Sequence, residues 1–211
     1  MPYRNLLCVL LVTGLAACAP EPEAEAPAVA DNGAAASSAS ADTPGGWRTL
    51  FDGASLDGWN AIGDANWELS DDTVRANGGN GFLVSDASYA DFDLSLEFWV
   101  TPDANSGVFL RCMTPLEISA TSCYEANVYD TRPDPTYRTG GIVEVAAPMR
   151  TLNAGGRWNR FEISMTGPRL QVTLNDVMMV DVEDDKLRDG PIALQYGAGT
   201  VMFRNVRVRT R

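Results

Sequence analysis

Short runs of alternating apolar and polar residues, separated by turn-forming residues, constrain the fold of this chain most. The run FDLSLEF at residues 92–98 has an apolar side chain at every second position, which is typical of a strand with one buried face. Residues 169–174 repeat this alternation and end at Asn175-Asp176, a turn signal. Residues 177–182 then run back, so the sequence predicts a β-hairpin here.

The rest of the region after residue 46 has the same character. Residues 161–165, 192–195 and 201–208 are further predicted strands. Gly, Asn and Asp interrupt the chain about every eight to twelve residues, and no window has sustained apolar residues at helical spacing. We therefore expect an all-β fold, a sandwich or jelly roll.

The first 17 residues predict a signal peptide. Arg4 is followed by a short apolar segment at residues 6–15 and then by LAAC at residues 15–18. This ending resembles the bacterial lipoprotein signal, in which the cysteine, here Cys18, is lipidated and carries palmitate. Because Ala19 is not Asp, that resemblance implies an outer-membrane location, facing the periplasm or the cell surface. The alternative is an ordinary signal peptide cleaved near Ala17, with no role for Cys18.

The remainder divides into a tether and one domain. Residues 18–45 are built of Ala, Pro, Glu, Ser and Asp without aromatic residues, a composition that predicts disorder. Residues 46–211 have the length of a single domain. The formal net charge of −12 argues against a nucleic-acid partner. We expect contact with the membrane through the lipid alone, and we treat the chain as a monomer, although its sequence does not report on oligomeric state.

Two cysteines remain in the predicted domain, Cys112 and Cys123. In an oxidising compartment they are expected to form a disulfide that closes the loop at residues 113–122. The alternative is a two-thiolate metal site, which would lack further soft ligands because the chain has no His.

Charged and amide side chains occur in the two strand-like runs at residues 105–111 and 124–130. Desolvating them is costly without partners or a ligand, so they suggest a polar cleft across a sheet. Glu125 and Asn127 are two residues apart and should point to the same face, whereas Asp130 should point away from Glu125. Arg111 should share a face with Phe109.

An ordered set of motifs spans the whole domain. It includes LFDG and LDGW at residues 50–59, NSGVFLR at 105–111, YE at 124–125, GRWN at 156–159 and GPIALQ at 190–195. In this order they resemble the 3-keto-disaccharide hydrolase family. That resemblance implies a concanavalin A-like jelly-roll β-sandwich whose concave sheet binds sugar, and hydrolysis of glycosides oxidised at C3.

The chemistry of that family suggests roles for the polar residues. Cleavage beside a keto group needs a base, a group that stabilises an enolate, and an acid for the leaving oxygen. The candidate catalytic residues are Glu125 as base or acid, Arg111 as oxyanion or carboxylate clamp, and Asp130. The candidate substrate-binding residues are Asn127, Gln195, Tyr196 and Glu97.

Structural roles remain open for three of these residues. Glu125 could form an ion pair with Arg111, and Asp130 could cap the turn that follows it. Glu97 could occupy a solvated edge.

The chain departs from the family pattern in lacking imidazole. Family members commonly have a His where this chain has Tyr196, and some depend on a metal. No cofactor is expected here, although a hard divalent cation held by oxygen ligands remains compatible with the sequence.

Two hypotheses follow. The first is an envelope-anchored glycosidase acting on 3-keto-glycosides, which we favour because Arg111, Glu125 and Gln195 are all present. The alternative is a catalytically silent carbohydrate-binding module on the same sandwich, which the loss of imidazole favours.

Overall fold

The computed structural model describes residues 46–211. The predictions made for residues 1–45, including the lipidation of Cys18, lie outside this part of the chain. Within residues 46–211 no helix is long and apolar enough to cross a membrane.

Thirteen β-strands and one short 3-10 helix at Pro135–Tyr137 make up the regular structure of residues 46–211. The strands are β1 (Arg48–Phe51), β2 (Trp59–Gly63), β3 (Glu68–Ser70), β4 (Thr73–Ala76), β5 (Gly81–Tyr89), β6 (Phe92–Val100), β7 (Ser106–Leu110), β8 (Tyr124–Val128), β9 (Trp158–Thr166), β10 (Arg169–Leu174), β11 (Val177–Glu183), β12 (Gly190–Tyr196) and β13 (Val201–Thr210). All the strands expected from the alternation are present.

The strands form two antiparallel sheets, so the predicted all-β sandwich is confirmed. The larger, 8-stranded sheet has the order β11-β10-β9-β6-β13-β4-β3, and β1 also pairs with β13. The smaller, 5-stranded sheet has the order β2-β5-β12-β7-β8. Because sequence neighbours β6 and β7 lie in different sheets, the chain crosses the sandwich between them.

The main core lies between the inner faces of the two sheets. Phe92, Leu94, Leu96 and Phe98 of β6 are all buried in it, as the alternation predicted. Burying one side chain of this size contributes roughly 1.5–3 kcal/mol to the stability of the folded state. The opposing side chains of the core come from alternate positions of the strands of the smaller sheet.

The predicted hairpin of β10 and β11 has a tight turn at its tip. Asn175 and Asp176 have φ values of 49° and 65°, the left-handed region that a type I′ turn requires at both central positions. Asn and Asp tolerate this region better than most residues, which explains why the sequence signal was reliable.

A second apolar cluster covers part of the outer face of the smaller sheet. Val84, Phe109 and Ala193 of the sheet pack there against Cys112 and Cys123, with Ile118 of the intervening loop partly buried on them. The two cysteines form the predicted disulfide. The loop that it closes therefore lies over one end of this face and leaves the other end to polar residues.

Candidate functional site

Two rows of side chains cross the outer face of the smaller sheet. Directly paired residues of antiparallel strands share a face, so the pairing registers define the rows. The first row runs Glu125, Phe109, Ala193, Val84, Asn60. The second contains Asn127 and Gly107 at one end and Gln195, Phe82 and Ile62 at the other. The prediction that Glu125 and Asn127 share a face is confirmed.

Glu125 is a buried carboxyl group without a partner. The residue is only 7% exposed, and among residues 46–211 no hydrogen bond or ion pair involves its side chain. Burial raises the pKa of Glu125 to about 7, opposed by the positive charge of Arg132 and assisted by the negative charge of Glu144. A carboxyl group with this pKa can accept or donate a proton near neutral pH.

Two amide oxygens on the same face have no donor in the described part of the chain. The Asn127 Nδ2 atom donates to the Tyr137 carbonyl oxygen, which fixes that amide with its Oδ1 atom free. Asn127 Oδ1 and Gln195 Oε1 are both buried without a hydrogen-bond partner. An unsatisfied buried acceptor costs roughly 1–3 kcal/mol, so these two atoms are suited to accept hydrogen bonds from a ligand.

Gly107 forms the floor between these acceptors. A Cβ atom at this position would lie 3.2 Å from both Cγ and Oε1 of Glu125 and 3.3 Å from Phe109 Cε2. Gly107 is itself buried, and the lack of a side chain there leaves space for the Glu125 carboxyl group, which any larger residue would crowd. We call the group of Gly107, Glu125, Asn127 and Gln195 the acceptor cleft.

An aromatic pair borders the acceptor cleft. The rings of Phe82 and Phe109 meet edge to face, with centroids 5.3 Å apart and an interplanar angle of 87°. Phe109 is buried, whereas Phe82 is partly exposed and adds apolar surface to the face that holds the amide oxygens. Small-molecule sites usually combine apolar surface with a few polar groups in this way.

Arg111 is not part of this cleft, and the prediction that it shares a face with Phe109 is wrong. Its φ of 49° turns the chain at the end of β7, so the strand alternation stops before it. The side chain is buried and donates to Ala90 O (2.7 Å), Gly167 O (2.8 Å), Leu187 O (3.2 Å) and Asp91 Oδ1 (3.0 Å). Arg111 therefore joins three separate segments, and its ion-pair partner is Asp91 rather than Glu125.

Asp130 also has a structural role, because its carboxylate joins two segments of the chain through hydrogen bonds. Its carboxylate accepts hydrogen bonds from Thr139 Oγ1 (2.6 Å) and from the backbone N–H groups of Ala154 and Gly155, each at 2.9 Å from Oδ2. It fastens the loop after β8 to a segment more than twenty residues away instead of capping its own turn. These contacts use both carboxylate oxygens, so nothing supports the catalytic role suggested for Asp130.

Glu97 and Tyr196 lie away from the cleft, contrary to expectation. Glu97 belongs to the larger sheet and accepts a hydrogen bond from Arg204 Nε at 2.7 Å. Tyr196 is 4% exposed and belongs to the main core, with its hydroxyl donating to the Gly199 carbonyl oxygen. In β12 it is the neighbouring residue Gln195 that faces the cleft, because successive side chains of a strand alternate between faces.

Comparison with models of protein families tests the family membership that the sequence motifs suggested. A model described as the 3-keto-alpha-glucoside-1,2-lyase-like domain matches residues 46–209. The chain belongs to this family. No curated protein matches the sequence.

Solved structures share the fold of this lyase-like domain. Two proteins from Parabacteroides distasonis ATCC 8503 that carry the provisional name glycosyl hydrolase match with TM-scores of 0.71 and 0.68, at 17% and 21% identity. Each match covers 79% of this chain, and 94% and 100% of the respective solved chains. The carbohydrate-binding module CBM66 from Bacillus subtilis matches with a TM-score of 0.59 at 18% identity, over 72% of this chain and 96% of that one. At these identities the matches show the fold, which is the predicted jelly-roll sandwich.

The side chains at the cleft do not fit the metal expected for some lyase-like family members. Within residues 46–211, no three His, Cys, Asp or Glu side chains come close enough to hold an ion together. The acceptor cleft offers one carboxylate and two amide oxygens, which is a poor donor set for a tightly held cation. We therefore assign no step of the chemistry to a metal.

The sequence analysis did not identify two residues that contribute to the site. Gly107 is a glycine inside a strand, a recognised sign of close approach by a ligand or another backbone. Arg132 follows β8 in a loop, with its guanidinium carbon 5.2 Å from the centroid of the Tyr137 ring. Its effect on Glu125 arises from the return of that loop over the sheet, which no local pattern reports.

Proposed function

We propose that this domain is an enzyme that cleaves glycosides oxidised at C3, with Glu125 as the proton-transfer group. The observation that carries the proposal is the acceptor cleft, where a carboxyl group with a pKa of about 7 lies on the same sheet face as two buried amide oxygens that need donors. Perturbed carboxyl groups of this kind are concentrated at functional sites. Membership of the lyase-like family supports the choice of substrate.

The chemistry requires one group that both removes and returns a proton. A keto group at C3 acidifies the C–H bond at C2, and the Glu125 carboxylate takes that proton. The resulting enolate expels the glycosidic oxygen from C1, and the proton on Glu125 passes to this leaving oxygen. Water then adds across the C1–C2 double bond, with hydroxyl going to C1 and hydrogen to C2, so the net reaction is hydrolysis. A carboxyl group near half-ionisation at pH 7 suits both transfers.

The other residues of the cleft position the sugar. Asn127 Oδ1 and Gln195 Oε1 accept hydrogen bonds from sugar hydroxyls, and Gly107, which has no side chain, leaves the Glu125 carboxyl group free to take up its position. Arg132 takes over the role expected of Arg111, because its positive charge acts on the cleft and can stabilise the enolate oxygen.

The test is turnover of a chromogenic 3-keto-glucoside by the Glu125→Gln variant. Loss of a positioned acid or base lowers turnover by about 100-fold or more. The matched control is Glu97→Gln, a strand carboxylate on the larger sheet, which should keep wild-type turnover per folded molecule. Full activity of Glu125→Gln would remove Glu125 from the mechanism.

A carbohydrate-binding module without catalysis is the second candidate. The engagement of Arg111 in structural contacts favours it, since Arg111 cannot then stabilise an enolate and this role is left to Arg132. Wild-type protein that binds sugar but turns over no 3-keto-glycoside would establish the module and rule out the enzyme.

A further inference from the structure

A small pocket with basic side chains lies behind the loop that follows β8. It has a volume of about 260 Å³ and lies between residues of 135–139 on one wall and residues of 147–153 on the other. Its lining includes Arg138 and Arg150 and no acidic side chain. This is unusual in a chain whose acidic residues outnumber its basic ones, 28 to 16.

The two arginines have charge to offer a ligand. Arg138 Nε donates to the Arg132 carbonyl oxygen at 2.9 Å, which fixes the side chain without neutralising it. Within residues 46–211, neither Arg138 nor Arg150 forms an ion pair. A planar guanidinium group binds carboxylate, phosphate and sulfate oxygens through paired N–H donors.

The walls of the pocket are held in place by buried contacts. Asp130 accepts hydrogen bonds from Thr139 on one wall and from Ala154, which directly follows the other wall. Pro148 packs closely on Gly141, where a Cβ atom would lie 2.9 Å from its Cδ. The pocket is therefore formed in advance of binding, which lowers the entropic cost of taking up a ligand.

Nearby carboxylates are engaged elsewhere. Asp130 uses both its oxygens on Thr139 and on backbone N–H groups. Asp134 accepts from the Thr136 N–H group at 2.9 Å, and its side chain is exposed to solvent. Both carboxylates keep their negative charge in these contacts, but neither side chain lines the pocket, so Arg138 and Arg150 are the charged groups on its walls.

Other features point to a sugar rather than to a bare anion. Thr136, Thr151 and Asn153 also line the pocket and add hydroxyl and amide groups to its charged ones. Its volume is a little below the roughly 300–1,000 Å³ of sites for larger ligands, which suits one sugar ring. The segment 135–139 also borders the acceptor cleft, since Asn127 of the cleft donates to the Tyr137 carbonyl oxygen.

We propose that this basic pocket is a second carbohydrate subsite, which binds a sugar ring carrying a carboxylate, phosphate or sulfate group. The guanidinium groups of Arg138 and Arg150 hold the anionic substituent, while the threonine and asparagine side chains contact ring hydroxyls. Binding there does not depend on the role of Glu125 in proton transfer.

Titration calorimetry of the purified full chain at constant ionic strength tests this proposal. The probes are glucuronate, glucose 6-phosphate and glucose 6-sulfate, with glucose, inorganic phosphate and inorganic sulfate for comparison. We expect at least one acidic sugar to bind ten-fold or more tightly than both glucose and the corresponding inorganic ion. Equal affinity for glucose would refute the proposal, and equal affinity for the inorganic ion would refute the assignment to a sugar.

Variants locate the binding. Arg150→Gln and the double variant Arg138→Gln/Arg150→Gln should weaken the acidic sugar at least ten-fold, whereas Arg207→Gln, an exposed arginine of the larger sheet, should not. Within residues 46–211 the Arg150 side chain forms no hydrogen bond or ion pair, so its single variant tests the pocket even where loss of Arg138 disturbs the loop. Undiminished binding by Arg150→Gln and the folded double variant would overturn the proposal. Glu125→Gln should retain this binding even as it loses turnover, which separates the subsite from the cleavage reaction.

Discussion

The Glu125 carboxyl group combines burial with the lack of any ion-pair partner in the described structure. In the unfolded chain it is fully hydrated and has an ordinary pKa, whereas in the folded protein its ionisation is opposed by the low polarity around it. The folded state therefore binds a proton between about pH 4.5 and pH 7 that the unfolded chain has released. Raising the pH through this window destabilises the protein, and the loss is complete above about pH 7.

Replacing Glu125 by Gln should remove this penalty. We expect the variant to be more stable than wild type at pH 8, by up to about 3 kcal/mol, and to differ little at pH 4, where the wild-type carboxyl group is protonated in both states. Urea denaturation at the two pH values measures this. The exposed Glu162→Gln should shift stability by less than about 0.5 kcal/mol at either pH. A Glu125→Gln variant that is less stable at pH 8 would mean that the carboxylate has a favourable partner.

The buried charge of Arg111 differs from that of Glu125 because four acceptors satisfy it, so removing Arg111 should destabilise the protein. Arg111→Met should destabilise the protein by about 3 kcal/mol or more, since it removes the cation that pairs with Asp91 and the donor to three carbonyl oxygens. Urea denaturation measures the loss, and Arg160→Met, which breaks a surface pair with Asp176, should cost at most about 1 kcal/mol. Turnover per folded molecule should be unchanged, and a specific loss of turnover would return Arg111 to the active site.

The β7–β8 hairpin carries most of the acceptor cleft. Gly107 of β7 pairs with Asn127 of β8, and Phe109 pairs with Glu125. On its other side β8 is bonded to the segment after the 3-10 helix, through Asn127 N–H to Gly141 O and Val143 N–H to Glu125 O. With both of its edges paired, β8 holds the carboxyl group and the amide in fixed positions, which the proposed proton transfer requires.

Gly107→Ala tests whether this hairpin leaves room for a ligand. Alanine is compatible with the extended backbone and should leave the melting temperature within about 2 °C of wild type, because Glu125 needs to move by only a few tenths of an ångström. The added methyl group should still weaken sugar binding at least ten-fold, seen as a higher KM or Kd. Gly78→Ala, where the Cβ atom would make only ordinary contacts at 3.5 Å and beyond, is the matched control. Unchanged binding by Gly107→Ala would place the sugar elsewhere.

Taken as a whole, the chain joins this domain to a predicted lipid anchor through residues 18–45. If Cys18 is lipidated, Cys18→Ser should leave the protein unprocessed or move it from the membrane fraction to the soluble fraction. Detergent partitioning of cell extracts measures this, and identical partitioning of wild type and variant would contradict the lipoprotein interpretation. The fold and the acceptor cleft are independent of this result.

Prediction from sequence was most successful where one face of a strand meets solvent. In β9 and β10 of the larger sheet, inner residues are buried and mostly apolar while outer residues are mostly polar and at least partly exposed, and the strands were found within a few residues of their true ends. It was least successful in the smaller sheet. All five residues of β7 and of β8 are buried, because loops cover the outer face, so polarity alone does not reveal which side faces the core.

The amino-acid sequence by itself determined the all-β class, the hairpin turn at Asn175-Asp176, the family and the pairing of Glu125 with Asn127 on one face. These features depend on residues that are close together in the chain or on the two-residue period of a strand. Both can be recognised in the local sequence pattern. Only the tertiary structure decided that Arg111 is a structural clamp, that Gln195 rather than Tyr196 faces the cleft, and that Arg132 acts on Glu125. Arg111 is held by groups 20 to 76 residues away, and its left-handed backbone ends the alternation on which its predicted direction relied. Such roles depend on contacts between segments that are distant in the chain. The packing of the whole sandwich determines which of these segments come into contact.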